Sequence, residues 1–134
     1  MNKACPVVLR QKNNKLELLA FKHPEEGIQL VKGNIKKGEP LESACIRELA
    51  EESGIQAQVV KQLGTWEPNF KNQVWGLCLM HYEVTLPDTW EFQTQDDGGH
   101  VFSFFWQPLD SPLNDDWNDV YKSAFQYIKN ALGN

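Results

Sequence analysis

The chain has 134 residues, 41% of them hydrophobic and 23% charged, an ordinary globular composition with enough apolar surface to bury a core. Its 13 basic and 18 acidic side chains leave a formal net charge of −5. That balance argues against a long nucleic acid as partner, since such a polymer is held through phosphates by a basic stripe, and "NIKKGE" is too short to form one. No apolar run approaches the length of a membrane span.

The N-terminal stretch "MNKACPVVLRQK" moves directly into strand-like sequence, without the long apolar segment of a signal peptide. Cys5, Cys45 and Cys78 are an odd, widely spaced set with no CxxC. They read as buried small hydrophobes in a reducing, cytoplasmic compartment. Residues 6–11 and 15–22 read as two strands turned by "KNN", followed by the loop "HPEEG" and a short strand at 28–32. The loop "GNIKKGEP" leads into a helix from Leu41 to Ser53. Pro40 suits its first position, Glu39 and Glu42 suit the positive end of its dipole, and Gly54 suits the left-handed residue that closes it.

Strands at 55–66 and 73–85 follow, joined by "EPNFKN". Residues 86–99 read as loop or irregular strand, and 100–109 as the last strong strand. A final helix over 113–132 would carry Leu113, Trp117, Val120, Tyr121, Ala124, Tyr127, Ile128 and Leu132 on one stripe. Strands, helix, strands, helix predict a mixed sheet covered by helices, hence an α+β or α/β class.

One stretch of the first helix stands out. "RELAEESGI" sets Glu48, Glu51 and Glu52 within five residues, and each like-charged pair at i,i+3 or i,i+4 weakens a helix by roughly 0.2–0.5 kcal/mol. With Glu48 at 0°, Glu52 falls near 40° and Glu51 near 300°, while Leu49, Ile46 and Ala50 span about 100–200°. On this wheel the carboxylates border the apolar stripe. Arg47, four residues before Glu51, is placed to orient or neutralise it. A solvated charged face is the plain reading of such a helix. A hard divalent cation, Mg²⁺ or Mn²⁺, would instead convert the repulsion into coordination, with the glycine-containing loop beside it exposing backbone oxygens.

From Gly33 the sequence runs "GNIKKGEPLESACIRELAEESGI". It resembles the Nudix box, in which Gly33, Glu39, Arg47, Glu48, Leu49, Glu51, Glu52, Gly54 and Ile55 fill every fixed position. The resemblance implies a single Nudix hydrolase domain over 1–134, with a Nudix-type α/β/α sandwich and a mixed β-sheet. It also implies Mg²⁺- or Mn²⁺-dependent hydrolysis of a diphosphate bond in a small nucleotide, written as a nucleoside diphosphate linked to a group X. Carried over by position, Glu48 and Glu52 are the principal metal ligands, Glu51 joins them, and the backbone carbonyl of Lys32 completes the set. Arg47 and Glu39 hold the carboxylates, and the two glycines serve backbone geometry.

The general base varies across this family and often lies outside the box, so Asp96, Asp97 and His100 in "QDDGGHVF" are the candidates, with Glu91 behind them. Lys32, Lys36 and Lys37 are candidates for holding phosphates. Trp66, Phe70 and Trp90, near loops, are candidates to stack on a nucleobase. Trp106 and Trp117 read as core, and His23 and His81 as structural. The competing functions are an RNA 5′-pyrophosphohydrolase, against which the acidic balance counts, and a non-catalytic Nudix-fold nucleotide-binding module, against which the intact glutamates count. A monomer or a homodimer is equally compatible with the sequence.

Overall fold

The computed structural model describes residues 1–95 and 99–133. In chain order the elements are β1 (Lys3–Val7), β2 (Leu9–Lys12), β3 (Lys15–His23), β4 (Gly27–Gln29), β5 (Gly33–Asn34), α1 (Leu41–Ser53), β6 (Gln58–Trp66), β7 (Trp75–His81), β8 (Trp90–Gln93), β9 (Val101–Pro108) and α2 (Asp119–Ala131). They build two sheets between two helices. The first has the order β5-β1-β7-β6 and is mixed, because β1 runs parallel to β7 while its other pairings are antiparallel. The second is antiparallel in the order β2-β3-β9-β8, with β4 also on β3. This is the expected α/β/α sandwich.

The strands alternate their side chains between two cores, as a two-residue period requires. Ala4, Leu19, Phe21, Cys78 and Met80 face the core under α1 with Leu41, Cys45 and Leu49. Cys5, Leu18, Ala20 and Leu77 face the other core, under α2 with Tyr121, Ala124, Phe125 and Ile128. All three cysteines are buried and free, as their composition suggested. Among the described residues no helix is long and apolar enough to cross a membrane.

Several boundaries differ from the sequence expectation, each for a local reason. The first strand begins at Lys3 and is interrupted at Val8, where the chain leaves the first sheet and enters the second. The 28–32 strand shortens to Gly27–Gln29, and the box loop contributes the two-residue strand β5, paired with Lys3 and Ala4. The strands expected over 55–66 and 73–85 contract to Gln58–Trp66 and Trp75–His81. The last helix starts at Asp119, because the Asn118 side chain accepts from the Val120 N–H and caps it, an interaction worth about 1 kcal/mol. Leu113 and Trp117 thus precede the helix, although Trp117 still reaches the core.

Helix α1 runs over the expected residues. Pro40 is its N-cap and not its first helical residue, with an extended ψ of 149° and its carbonyl accepting from the Ala44 N–H at 3.0 Å. Gly54 closes it in the left-handed region at φ 80°, donating to the Ala50 carbonyl. There a Cβ would also fall 2.8 Å from the Phe92 ring, so glycine is required both for its dihedral and for its size.

Candidate active site

The buried face of α1 consists of Leu41, Ala44, Cys45, Glu48, Leu49 and Ser53. On the helical wheel Glu48 lies inside this arc, about 20° from Leu41 and 60° from Cys45. The carboxylates do not merely border the apolar stripe: Glu48 continues it, at 6% exposure, whereas Ile46, expected within the stripe, is 37% exposed. The packing direction of the helix, which a wheel does not carry, accounts for the difference. Leu49 and Ser53 keep the last turns packed on the sheets, while Arg47, Glu48, Glu51 and Glu52 line a cleft beside them.

That cleft, of about 630 Å³, is lined by Glu48, Glu51 and Glu52 from α1, by Lys32, Gly33 and Lys36 before it, and by Phe21, His23, Glu26, His100 and Phe102 from the second sheet and its turns. Its acidic side is organised by one guanidinium. Arg47 Nε donates to Glu39 Oε2 at 2.8 Å, and Nη2 to Glu39 Oε1 at 2.9 Å and to the Asn34 carbonyl at 2.8 Å. Nη1 donates to Glu48 Oε1 at 2.8 Å and to Glu51 Oε2 at 3.2 Å. One side chain thus engages three carboxylates and pins the loop to the helix. Its planar fork of donors suits this task, as a lysine ammonium would not.

The charge coupling is mutual. Hydrogen bonds from Arg47 hold the Glu39 carboxyl at about 2, and those bonds push the Arg47 guanidinium further up. The Lys36 N–H adds a bond to Glu39 Oε1 at 3.0 Å.

Gly33 makes room for Glu48. A Cβ at residue 33 would lie 1.9 Å from the Glu48 carboxyl carbon, inside any physical contact. This strand end is shaped to let a carboxylate rest against bare backbone. Hard oxygen donors beside an exposed backbone suit Mg²⁺ or Mn²⁺. Among the described residues no three acidic, histidine or cysteine side chains are already drawn together at ligating distance. Three like charges line the cleft without converging, with Arg47 offsetting two of them.

Lys32 lines the same cleft. Its ammonium lies 4.9 Å from the Trp75 ring centre and 5.3 Å from that of Tyr121, and donates to Gln73 Oε1 at 3.3 Å. Burial, reinforced by the neighbouring Lys3 charge, lowers it to about 8. Lys3 also lines the cleft and donates to the Asn34 side chain.

The remaining candidates separate clearly. His100 lines the cleft, and its backbone is clamped to Thr94 by the Thr94 N–H, which donates to the His100 carbonyl at 2.8 Å. Asp96 and Asp97 lie outside the described residues. Glu91 lines a different depression, with Lys22 and Ser103. None of the three proposed stacking residues lines the cleft. Trp66 packs edge-on against Trp75 at 5.0 Å and beside Tyr127 at 5.9 Å. Trp90 stacks on Phe104 at 5.0 Å and donates from its indole nitrogen to the Ser53 carbonyl. Phe70 sits in the 67–72 turn under the Lys71 ammonium. Near-loop position in the sequence did not reveal which way these rings turn.

Three residues with a part in the site were not assigned to it from the sequence: Lys3, His23, read as structural, and Glu26, read as loop, all line the cleft. Their spacing carries no motif, so only the fold brings them to the site.

A profile of the NUDIX domain matches residues 2–127. The chain is 28% identical over 107 residues to Nudix hydrolase 6 of Arabidopsis thaliana, covering 76% of this chain and 35% of that protein. It is 36% identical over 81 residues to the ADP-ribose pyrophosphatase of Saccharomyces cerevisiae, covering 56% and 34%. The chain thus spans about a third of the length of these curated relatives. The NUDIX domain of NrtR from Shewanella oneidensis, solved with ADP ribose, superposes with a TM-score of 0.60 at 18% identity over 97% of this chain and 86% of that one. That likeness speaks for the fold, and the profile match over nearly the whole chain settles the family: this chain belongs to the Nudix family.

Proposed function

We propose that the chain acts as one Nudix unit hydrolysing the diphosphate bond of a small nucleotide, a nucleoside diphosphate joined to a group X, with Mg²⁺ or Mn²⁺. The observation that carries this reading is the Arg47 clamp, which binds Glu39 and holds Glu48 and Glu51 in one cleft that Lys32 and Lys3 also line. A diphosphate brings negative charge that lysines attract and glutamates repel. The acidic wall is consistent with such a substrate only with a cation between them.

Glu48, Glu52, Glu51 and the Lys32 carbonyl would hold the metal, and the Gly33 cradle fits that assignment. When bound, the metal supplies charge neutralisation at the diphosphate and a more acidic water. Arg47 keeps the carboxylates oriented throughout, and Glu39 keeps Arg47 in place. The ammonium groups of Lys32 and Lys3 receive phosphate oxygens. His100, the described candidate for general base, is within the cleft and would take a proton from the attacking water on an imidazole nitrogen.

ADP-ribose is the first substrate to try, because one curated relative is named for it and a neighbour of the same fold was solved with it. The test is release of AMP or phosphate from a panel of nucleoside di- and triphosphates, dinucleoside polyphosphates and ADP-ribose, with and without Mg²⁺ or Mn²⁺. Metal-dependent release that disappears in Glu52→Gln supports the hydrolase. No release from any of them, with tight nucleotide binding retained, assigns the chain to a binding module instead.

A further inference from the structure

The roles above leave unused the part of the cleft where His23 and Glu26 meet. The backbone N–H groups of Glu25 and Glu26 donate to His23 Nδ1, at 3.0 and 3.2 Å. A ring nitrogen whose lone pair accepts such bonds carries no proton, so the neutral imidazole bears its hydrogen on Nε2. With that lone pair committed, His23 presents its Nε2 as a fixed donor. Nε2 lies 3.5 Å from Glu26 Oε2, longer than a well-made hydrogen bond, and the Glu26 side chain is 65% exposed. A donor and an acceptor therefore stand side by side at the cleft without satisfying each other.

The surroundings are aromatic and held in place. The His23 ring centre is 4.8 Å from that of His100 and 5.4 Å from that of Phe102, which stacks on Phe21 at 4.1 Å. The turn carrying Glu26 is fixed on one side by the His23–Gly27 strand pairing. On the other, the Ile28 N–H donates to the Asp116 carbonyl at 2.9 Å, and the Asn118 N–H to the Ile28 carbonyl at 3.2 Å. Preorganised polar groups of this kind lose little on binding.

The chemistry of the pair selects its ligand. A hydroxyl both donates and accepts, so it fits an N–H beside a carboxylate. A terminal phosphate brings only acceptors and repels Glu26. We propose that His23 and Glu26 form a sugar subsite that binds hydroxyls of the group X, beside the apolar faces of His100 and Phe102. The subsite rests on the hydrolase reading of the same cleft and narrows X to a hydroxyl-bearing group such as a second ribose.

The test compares two non-hydrolysable probes with Mg²⁺ present, α,β-methylene ADP-ribose and α,β-methylene ADP, by calorimetric titration. His23→Asn keeps an acceptor near the Nδ1 position for the two backbone N–H groups but withdraws the Nε2 donor. Glu26→Ala removes the exposed acceptor without threatening the fold. Relative to the wild-type protein, each variant is expected to shift the ratio of the two Kd values about tenfold against the ADP-ribose probe, the effect of one lost hydrogen bond. A ratio unchanged within twofold in Glu26→Ala overturns the subsite, as does an unchanged ratio in a folded His23→Asn. Turnover of ADP-ribose by the wild-type protein is measured separately. A shifted ratio without turnover removes the hydrolase reading and leaves the subsite, whereas turnover with an unchanged ratio does the reverse.

Discussion

Arg47 grips both carboxylate oxygens of Glu39, Nε on Oε2 at 2.8 Å and Nη2 on Oε1 at 2.9 Å, across eight residues and the start of α1. The same guanidinium reaches the Asn34 carbonyl and two box glutamates. The loop before the helix and the carboxylates on it are consequently one unit, set by a single planar group.

Arg47→Lys keeps the charge but loses the fork. It is expected to lower kcat/KM by about 10–100-fold, the usual effect of removing a group that orients metal ligands. Steady-state assays under saturating metal, beside a thermal melt, check this. Activity within threefold of wild type would show that charge alone suffices.

Acid should reveal the Glu39 pairing. Its carboxyl is held at about 2, below its unfolded value. Its contribution to stability is complete above roughly pH 4.5 and is lost as pH falls toward about 2. In Glu39→Gln that titrating contribution is gone. Urea midpoints between pH 5 and 2.5 should therefore fall less steeply than in the wild-type protein, and parallel profiles in the two proteins would contradict the pairing.

Gly33→Ala forces a Cβ into the Glu48 carboxylate, at 1.9 Å. Either the strand end or the buried glutamate must move, at a cost of about 1–3 kcal/mol. The expected result is a lower melting temperature together with a loss of turnover larger than that of Arg47→Lys. A variant of unchanged stability and activity would show that Glu48 has another place to sit.

Trp66 provides a control on the site's limits. It contacts Trp75 and Tyr127, away from the cleft. Trp66→Ala should destabilise the fold by roughly 2 kcal/mol, part of the loss typical of a fully buried ring, while KM stays within twofold. A large KM increase in a stable variant would restore Trp66 to the substrate.

The linear pattern of the box reveals Gly33, Glu39, Arg47, Glu48, Glu51 and Glu52 because their spacing is local, within one loop and one helix whose geometry is fixed by 3.6 residues per turn. The bounds of α1 were legible for the same reason, since Pro40 and Gly54 act on adjacent backbone. The division of the first strand at Val8 was not, because only the competition between two sheets decides it. Nor was the start of the last helix, since apolar periodicity runs on through Trp117 while the Asn118 cap resets the backbone.

The sequence by itself revealed the family, the bounds of the carboxylate helix and the order of strands and helices. All three rest on patterns of residues close together in the chain. Tertiary structure decided which face of α1 lines the cleft, that Trp66, Phe70 and Trp90 turn elsewhere, and that His23, Glu26 and His100 meet. Those residues stand on β3, the turn after it and the approach to β9, which antiparallel pairing brings together across nearly eighty positions of chain. No spacing rule spans that distance. Strand register does.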